Sequence, residues 1–132
     1  MKIYLAGGMR PRKRVDSEGN WTDFNWQDVV KDVLAAKHEV FDPRDHNTKV
    51  FTEYSFLDLM RLRQCDLVIA YIEAENPSPM GLAGEVGFAK GLGKTVLLVN
   101  EKHEDRYTKF TENFADTVFQ SFEAALEVIA KV

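Results

Sequence analysis

The residues best suited to chemistry surround Glu85, in a run where Gly81, Gly84 and Gly87 recur at every third position. Glycine costs a helix about 1 kcal/mol per position relative to alanine. Three glycines on nearly one face therefore indicate that a strand, a second molecule or a ligand comes very close. We expect Glu85 in the first turn of a helix, where backbone N–H groups would keep its carboxylate ionised, as a nucleophile requires. A glutamate there also stabilises a helix start, so position alone does not separate the two roles.

A second carboxylate, Asp66, opens the most apolar strand predicted in the chain, 66–72. Beside Val68 and Ile69 it would lose water, so we expect it to need a partner or a raised pKa. Asp66 could then serve as a proton donor or orient a ligand. It could instead cap the preceding helix or bind loop amides, and its place at the amino end of a strand favours that role.

The loop after the first predicted strand reads Gly7-Gly8-Met9-Arg10. Two glycines at a strand end let the backbone approach a ligand closely. The loop has neither the G-x-G-x-x-G pattern of dinucleotide sites nor the Gly-Lys-Ser/Thr of a phosphate-binding loop. Arg10 and the basic residues that follow it add potential for binding phosphate. An ordinary turn with solvated charges is the alternative.

Composition and missing motifs exclude several classes of protein. The net charge of −4 argues against general nucleic-acid binding, which usually needs a basic face. The single cysteine, Cys65, rules out an internal disulfide and a cysteine metal site, and we expect it in the core. The three histidines form no H-E-x-x-H motif, and G-x-S-x-G is absent. No apolar run approaches the ~20 residues of a membrane span, so we expect a cytoplasmic protein.

The elements that must position these residues alternate between strands and helices. Predicted strands are 2–6, 38–43, 66–72, 94–100 and 117–119, and predicted helices are 23–37, 52–64, 81–91 and 121–131. The pattern predicts an α/β fold with a mainly parallel sheet and helices on both faces, formed by one domain over 1–132. Ligands bind at the carboxyl ends of such strands, which nominates the loops after Ala6, Ile72 and Asn100. The stretches 7–20 and 101–110 are predicted to be polar connections.

Four stretches, in order, resemble the nucleoside 2-deoxyribosyltransferase family and the related 2'-deoxynucleotide N-glycosidases. They are Ile3-Tyr4-Leu5-Ala6-Gly7-Gly8, Cys65-Asp66-Leu67-Val68-Ile69-Ala70, Gly84-Glu85-Val86-Gly87-Phe88-Ala89 and Gly93-Lys94-Thr95-Val96-Leu97-Leu98. Each stretch is weak alone, but their order and spacing make the match fairly specific. The Gly-Glu-Val-Gly segment is the most diagnostic.

The resemblance implies a flavodoxin-like fold with a doubly wound five-stranded sheet, no metal, no dissociable cofactor, and a homo-oligomer whose subunits complete each other's sites. It implies that Glu85 attacks C1' of the sugar, forming a covalent glycosyl-enzyme, and that Asp66 helps the base to leave. The sugar would lie against the helix start at Gly81. Tyr4 and the Gly7-Gly8 loop would shape the pocket that holds the base and the sugar. Asn113 loosely matches a residue that reaches a neighbouring subunit's sugar.

Two departures from the family bear on the substrate. Transferases tend to carry an acidic residue in the loop before the catalytic helix, where this chain has Ser78. Met9-Arg10 resembles the first loop of the nucleotide hydrolases, although Gly8 replaces its serine. Together, Arg10 and Ser78 lean mildly toward a 5'-phosphorylated substrate. Three functions remain open: deoxyribosyl transfer between nucleobases, hydrolysis of deoxynucleoside 5'-monophosphates, and nucleotide sensing without turnover.

Overall fold

The computed structural model of the chain describes residues 1–8, 12–46, 51–75 and 79–132. The strands are β1 (Lys2–Gly7), β2 (Arg12–Val15), β3 (Trp21–Phe24), β4 (Glu39–Phe41), β5 (Leu67–Ile72), β6 (Thr95–Asn100) and β7 (Thr117–Phe119). The helices are α1 (Trp26–Leu34), α2 (Phe51–Gln64), α3 (Met80–Gly91), α4 (Arg106–Glu112) and α5 (Phe122–Ile129), with a 3-10 turn at Pro43–His46. Within these ranges, no helix is both long and apolar enough to cross a membrane.

The main sheet has five strands in the order β4-β1-β5-β6-β7, and every neighbouring pair is parallel. This is the doubly wound order of flavodoxin-like folds, in which the chain turns back beside its first strand. The prediction of a parallel five-stranded sheet with helices on both faces is confirmed. Strand β5 is buried along its whole length, because it lies at the centre of the sheet and is covered on both sides.

Two apolar cores lie on the two faces of the sheet. On one face, α1 and α5 pack over alternate strand residues such as Ile69 and Tyr71. On the other face, α2 and α3 pack over Tyr4, Val68 and Ala70. Alternation of side chains along each strand separates the two cores. Cys65 is fully buried in the second core, as expected from its sequence context.

The prediction of a polar loop over 7–20 was wrong, because β2 and β3 form an antiparallel hairpin. The hairpin also moves the start of the first helix from residue 23 to Trp26. Asn25 caps that helix, and its side chain accepts a hydrogen bond from the Asp28 backbone N–H. Charges on Arg12, Lys13 and Arg14 concealed the strand, since they interrupt the apolar alternation by which strands are recognised.

Helix α4 was also missed, because the sequence reads as polar from residue 101 to 110. Its start is capped by Asp105, whose side chain accepts from the Tyr107 backbone N–H. Buried Asn100 ties the helix to β6 by donating to Thr108 Oγ1 at 3.2 Å and to Glu112 Oε1 at 3.1 Å. Hydrogen bonds from Asn100 therefore hold this helix in place, although its sequence lacks the apolar stripe by which helices are predicted.

Candidate active site

Glu85 lies on α3 in the wall of a cavity of about 410 Å³ between α2 and α3. The lining residues are Ser55, Asp58, Leu59, Gly81, Gly84, Glu85 and Phe88. Because α2 and α3 lie side by side on one face of the sheet, the cavity is a groove between helices with β1 behind it. The predicted residues Glu85 and Gly81 are thus brought together.

Burial raises the pKa of Glu85 to about 8, the side-chain hydrogen bond with Tyr4 opposes this shift, and the negative charge of Asp58 adds to it. The prediction that backbone N–H groups of the first helical turn would keep Glu85 ionised was wrong. Helix α3 begins at Met80, so Glu85 lies beyond its first turn and away from the unpaired N–H groups. Burial therefore favours the protonated form of Glu85 at neutral pH.

Tyr4, predicted to shape the pocket, is buried on β1 and forms a hydrogen bond with Glu85. When Glu85 is ionised, the Tyr4 hydroxyl is the donor, because a carboxylate can only accept. This contact favours the ionised form of Glu85. Tyr4 therefore joins the floor of the site to its central acidic residue.

Asp58, which the sequence reasoning missed, is the second carboxylate in the cavity. It lies on α2, is buried, and its charge acts directly on Glu85. A signal for it existed in the sequence: Asp58 interrupts the apolar residues Phe56, Leu57, Leu59 and Met60 of α2. A buried carboxylate in such a stripe needs either a partner or a function.

Asp66 is not in this cavity. It is exposed at the amino end of the sheet, where Oδ2 accepts from the Lys2 backbone N–H at 2.9 Å and its own N–H donates to the Lys2 carbonyl at 2.8 Å. Of the two readings of Asp66, the structure supports the one in which it binds a backbone amide, since it has the Lys2 N–H as its partner. The loss of water expected beside an apolar strand does not occur, because Asp66 is exposed.

The glycines of α3 present an open surface to the cavity. A Cβ atom added at Gly81, Gly84 or Gly87 would meet no described atom within 4 Å apart from its own neighbouring residues and helix backbone. Two of these glycines line the cavity, so the missing side chains leave room beside Glu85. Within the described part of the chain, no other element packs closely against these glycines.

Gly7 and Gly8 lie at the carboxyl end of β1. A Cβ on Gly7 would fall 2.8 Å from the Tyr71 carbonyl oxygen and 2.9 Å from the Trp26 ring, so only glycine fits. The Gly8 carbonyl accepts hydrogen bonds from Trp26 Nε1 at 3.3 Å and Gln27 Nε2 at 2.8 Å. Close packing at Gly7 and the hydrogen bonds to Gly8 fix the backbone here, and a binding site needs such a rigid support.

The other predicted binding residues lie away from the cavity or outside the described residues. Asn113 is exposed at the end of α4, and its side chain donates to the Phe110 carbonyl of the same helix at 3.1 Å. Met9, Arg10 and Ser78 lie outside the described residues. The roles assigned to these four residues therefore stay predictions.

The sequence model of the nucleoside 2-deoxyribosyltransferase family matches residues 3–126, which is nearly the whole chain. This protein belongs to that family of enzymes. The match includes Tyr4, Asp58 and Glu85, so the cavity between α2 and α3 lies inside the shared domain. Among curated proteins, no sequence matched this member of the family.

Solved structures of similar fold include both kinds of enzyme. A 2-deoxyribosyltransferase from the psychrotolerant bacterium Bacillus psychrosaccharolyticus has a TM-score of 0.66 at 23% identity, covering 96% of this chain and 90% of that one. A CMP N-glycosidase from Clostridium botulinum has a TM-score of 0.62 at 17% identity, covering 98% and 97%. A 2-deoxyribosyltransferase from Leishmania mexicana has a TM-score of 0.59 at 21% identity, also covering 98% and 97%. At these identities, the likeness establishes the fold that this deoxyribosyltransferase-family chain shares with them.

Proposed function

We propose that the enzyme cleaves the N-glycosidic bond of deoxynucleosides through a covalent glycosyl-Glu85 intermediate and transfers the sugar to another nucleobase. The observation that carries this proposal is the pairing of Glu85 with Asp58 in one cavity, beside a helix surface cleared by glycines. Two carboxyl groups in unequal environments are the usual machinery of retaining glycoside chemistry. Membership of the family supports the same reaction class.

The raised pKa of Glu85, about 8, suits a cycle in which Glu85 and Asp58 share one proton. When the proton moves from Glu85 to Asp58, Glu85 becomes the nucleophilic carboxylate and Asp58 becomes the acid. Glu85 then attacks C1' while the C1'–N bond breaks, and Asp58 gives the proton to the departing base. Tyr4 stabilises the Glu85 anion by its hydrogen bond.

In the second half of the cycle an incoming base attacks C1'. Its nitrogen loses a proton to Asp58, and Glu85 leaves as a carboxylate. Developing positive charge on the sugar is stabilised throughout by the negative charge of the carboxyl pair. Asp58 replaces Asp66 in this proposal, because Asp66 is exposed at the amino end of the sheet.

Hydrolysis of deoxynucleoside 5'-monophosphates is the alternative, and it shares every step up to the glycosyl-enzyme. The presence of a CMP N-glycosidase among proteins of this fold favours testing it. Arg10 and Ser78 are its predicted phosphate contacts. A nucleotide-binding sensor is the third reading, and it would use the cavity without needing Glu85 as a nucleophile.

Intact-protein mass spectrometry after mixing with substrate tests the mechanism. With a deoxynucleoside or its monophosphate we expect an added mass of one deoxyribosyl or deoxyribosyl-phosphate group. Glu85→Gln should abolish the adduct and lower turnover by at least ~1000-fold while leaving the ligand dissociation constant within about threefold, because the neutral amide keeps the shape of the side chain. Exposed Glu127→Gln is the matched control and should keep the adduct.

Products separate the three readings. Incubation with a deoxynucleoside and a different free base yields an exchanged nucleoside if the enzyme is a transferase. Free deoxyribose or its 5-phosphate identifies a hydrolase. Full turnover by Glu85→Gln contradicts the nucleophile assignment, and binding without any product identifies a sensor.

A further inference from the structure

A closed polar ring lies at the carboxyl edge of the sheet, on the face opposite Glu85. The Arg14 guanidinium donates to the Tyr71 hydroxyl and to Glu101 Oε2, the latter at 3.2 Å. Burial, together with a hydrogen bond to Glu101, raises the pKa of Tyr71 far above its usual value. Tyr71 therefore stays protonated and donates to Glu101, which closes the ring of three side chains.

Arg14 also joins the hairpin to the rest of the fold. Its guanidinium carbon lies 4.0 Å from the centre of the Phe24 ring and 5.9 Å from that of Phe122. A second nitrogen, Nη1, contacts Glu123 at 3.2 Å. One side chain on β2 thus holds the ends of β3, β5 and β6 and the start of α5. Arginine suits this place because its planar group can stack and donate several hydrogen bonds at once.

From Tyr71 the contacts continue to the glycine pair at the end of β1. Tyr71 is the parallel-strand partner of Gly7, and its ring meets the Trp26 ring edge-on at 5.5 Å. Trp26 in turn donates to the Gly8 carbonyl. Each link between Arg14 and the backbone of Gly7 and Gly8 is therefore a direct contact.

Glu101 extends the same ring to the segment that follows β5. Its Oε1 accepts a hydrogen bond at 3.2 Å from the backbone N–H of Ala74, which follows β5. The pairing of Arg14 with Glu101 thus fixes two strand ends at the edge where ligands of this fold bind.

We propose that Arg14 is a positioning residue for substrate binding, acting through Tyr71 and Trp26 on the backbone of Gly7 and Gly8. The kinetic part of this inference rests on the proposed nucleoside-cleaving function. Arg14 acts on substrate affinity and spares the attack at C1', because the ring belongs to the α1 and α5 face whereas Glu85 and Asp58 belong to the α2 and α3 face.

Steady-state kinetics of three variants test the proposal. We expect Arg14→Ala and Tyr71→Phe each to raise KM about tenfold with kcat within about twofold, since uniform binding is lost and transition-state contacts are kept. Arg14→Lys should recover only part of the loss, because an ammonium cannot reproduce the planar fork. The double variant should be no worse than Arg14→Ala alone, because both changes break one ring.

Arg106→Ala is the matched control. Arg106 also stacks on an aromatic ring, at 4.8 Å from Tyr107, and donates to its hydroxyl at 2.8 Å, but it lies on α4 away from the ring. A purely structural role for Arg14 would lower thermal stability and leave KM unchanged. That result, or an equal rise of KM in Arg106→Ala, overturns the proposal.

Hydrogen–deuterium exchange of the peptide spanning residues 1–8 gives a readout that needs no turnover. Exchange near Gly7 and Gly8 should quicken at least about fivefold in Arg14→Ala and stay unchanged in Arg106→Ala, because loss of the Arg14 contacts lets the strand end open locally. If the wild-type protein turns over no nucleoside or nucleotide, the proposed function fails and exchange alone decides the inference. Unchanged exchange in Arg14→Ala overturns it.

Discussion

Glu85 and Asp58 are two carboxyl groups that line one cavity, and the proposed mechanism gives them different roles. Burial and the neighbouring Asp58 charge raise the pKa of Glu85 to about 8, while the Tyr4 hydrogen bond pulls it down. In the proposed mechanism this carboxyl group passes its proton to Asp58 and then reacts as a carboxylate. The pair would thus hold the proton that the leaving base needs.

Exchange of Asp58 for Asn should lower kcat by about 100- to 1000-fold, because the leaving base loses its proton donor. Asp66→Asn is the matched comparison and should change kcat by less than about threefold, since its carboxylate serves the Lys2 backbone instead. Initial rates with saturating substrate measure both variants. A larger loss in Asp66→Asn than in Asp58→Asn would restore Asp66 as the acid.

The Glu85 pKa also predicts how stability depends on pH. The folded-state value of about 8 exceeds the ordinary 4.5, so the folded protein binds more protons than the unfolded chain between these values. Wild-type stability should therefore fall as pH rises from about 5 to 8 and then level off. Glu85→Gln should be about 2–4 kcal/mol more stable than wild type at pH 9 and nearly equal to it at pH 5.

Urea unfolding at pH 5 and pH 9 measures this difference. Glu127→Gln, on the exposed side of α5, should follow the wild-type curve at both pH values. A Glu85→Gln protein with the same pH dependence as wild type would show that Glu85 titrates normally in the folded state.

Among single residues, Glu85 and Gly81 could be assigned to one site from the sequence, whereas Asp58 could not. The glycine spacing of α3 can be read directly from the amino-acid sequence. The apolar neighbours of Asp58 mark it as unusual, but placing it beside Glu85 needs the distance between α2 and α3, which is a tertiary property. The apolar strand next to Asp66 suggested that its carboxylate is buried. The residue precedes the strand and is exposed, which the sequence pattern does not reveal.

At the scale of elements, the strands of the main sheet and most helices were predictable because their apolar periodicity is strong. The hairpin of β2 and β3 was not, since its inner face is stabilised by Arg14 stacking on Phe24. Helix α4 was missed because Asn100 anchors it by hydrogen bonds. Elements held by polar or cation–π contacts lack the apolar pattern from which sequence predictions are made.

Helix α3 loses some of its own stability at the glycines that leave space beside Glu85. Its glycines meet no described side chain, and its first turn carries no acidic residue. Each glycine weakens the helix by roughly 1 kcal/mol relative to alanine. Packing of Leu82, Val86 and Ala89 into the core offsets that weakness on the opposite side.

At the scale of the whole molecule, the two helices that form the groove of Glu85 carry exposed apolar side chains. Phe56 is 63% exposed, Met60 41% and Met80 79%. Phe56 and Met60 are four residues apart on α2 and so lie on one face of that helix, and contiguous apolar patches mark interaction surfaces. We propose that a second copy of the chain covers this face and helps to exclude water from the cavity, as the family resemblance implies.

Light scattering during size-exclusion chromatography measures this assembly. We expect a mass of at least twice the 15.1 kDa of the chain. The double change Phe56→Ser with Met60→Ser should shift the protein toward monomer, because burial of both side chains is lost. Trp21→Ser, which removes a 71% exposed aromatic residue from the hairpin, is the control and should keep the wild-type mass. A monomeric wild-type protein would contradict the proposal.

The parallel pairing of the main sheet has a consequence for the order in which the molecule assembles during folding. Parallel neighbours are joined by long crossovers, so every ladder of that sheet must wait for distant parts of the chain to meet. In the described ranges, β2 and β3 are the one strand pair whose members are close in sequence, so they can pair without a long crossover. We therefore expect the hairpin to form within microseconds, whereas the groove between α2 and α3 appears only when the slow collapse of the sheet is complete.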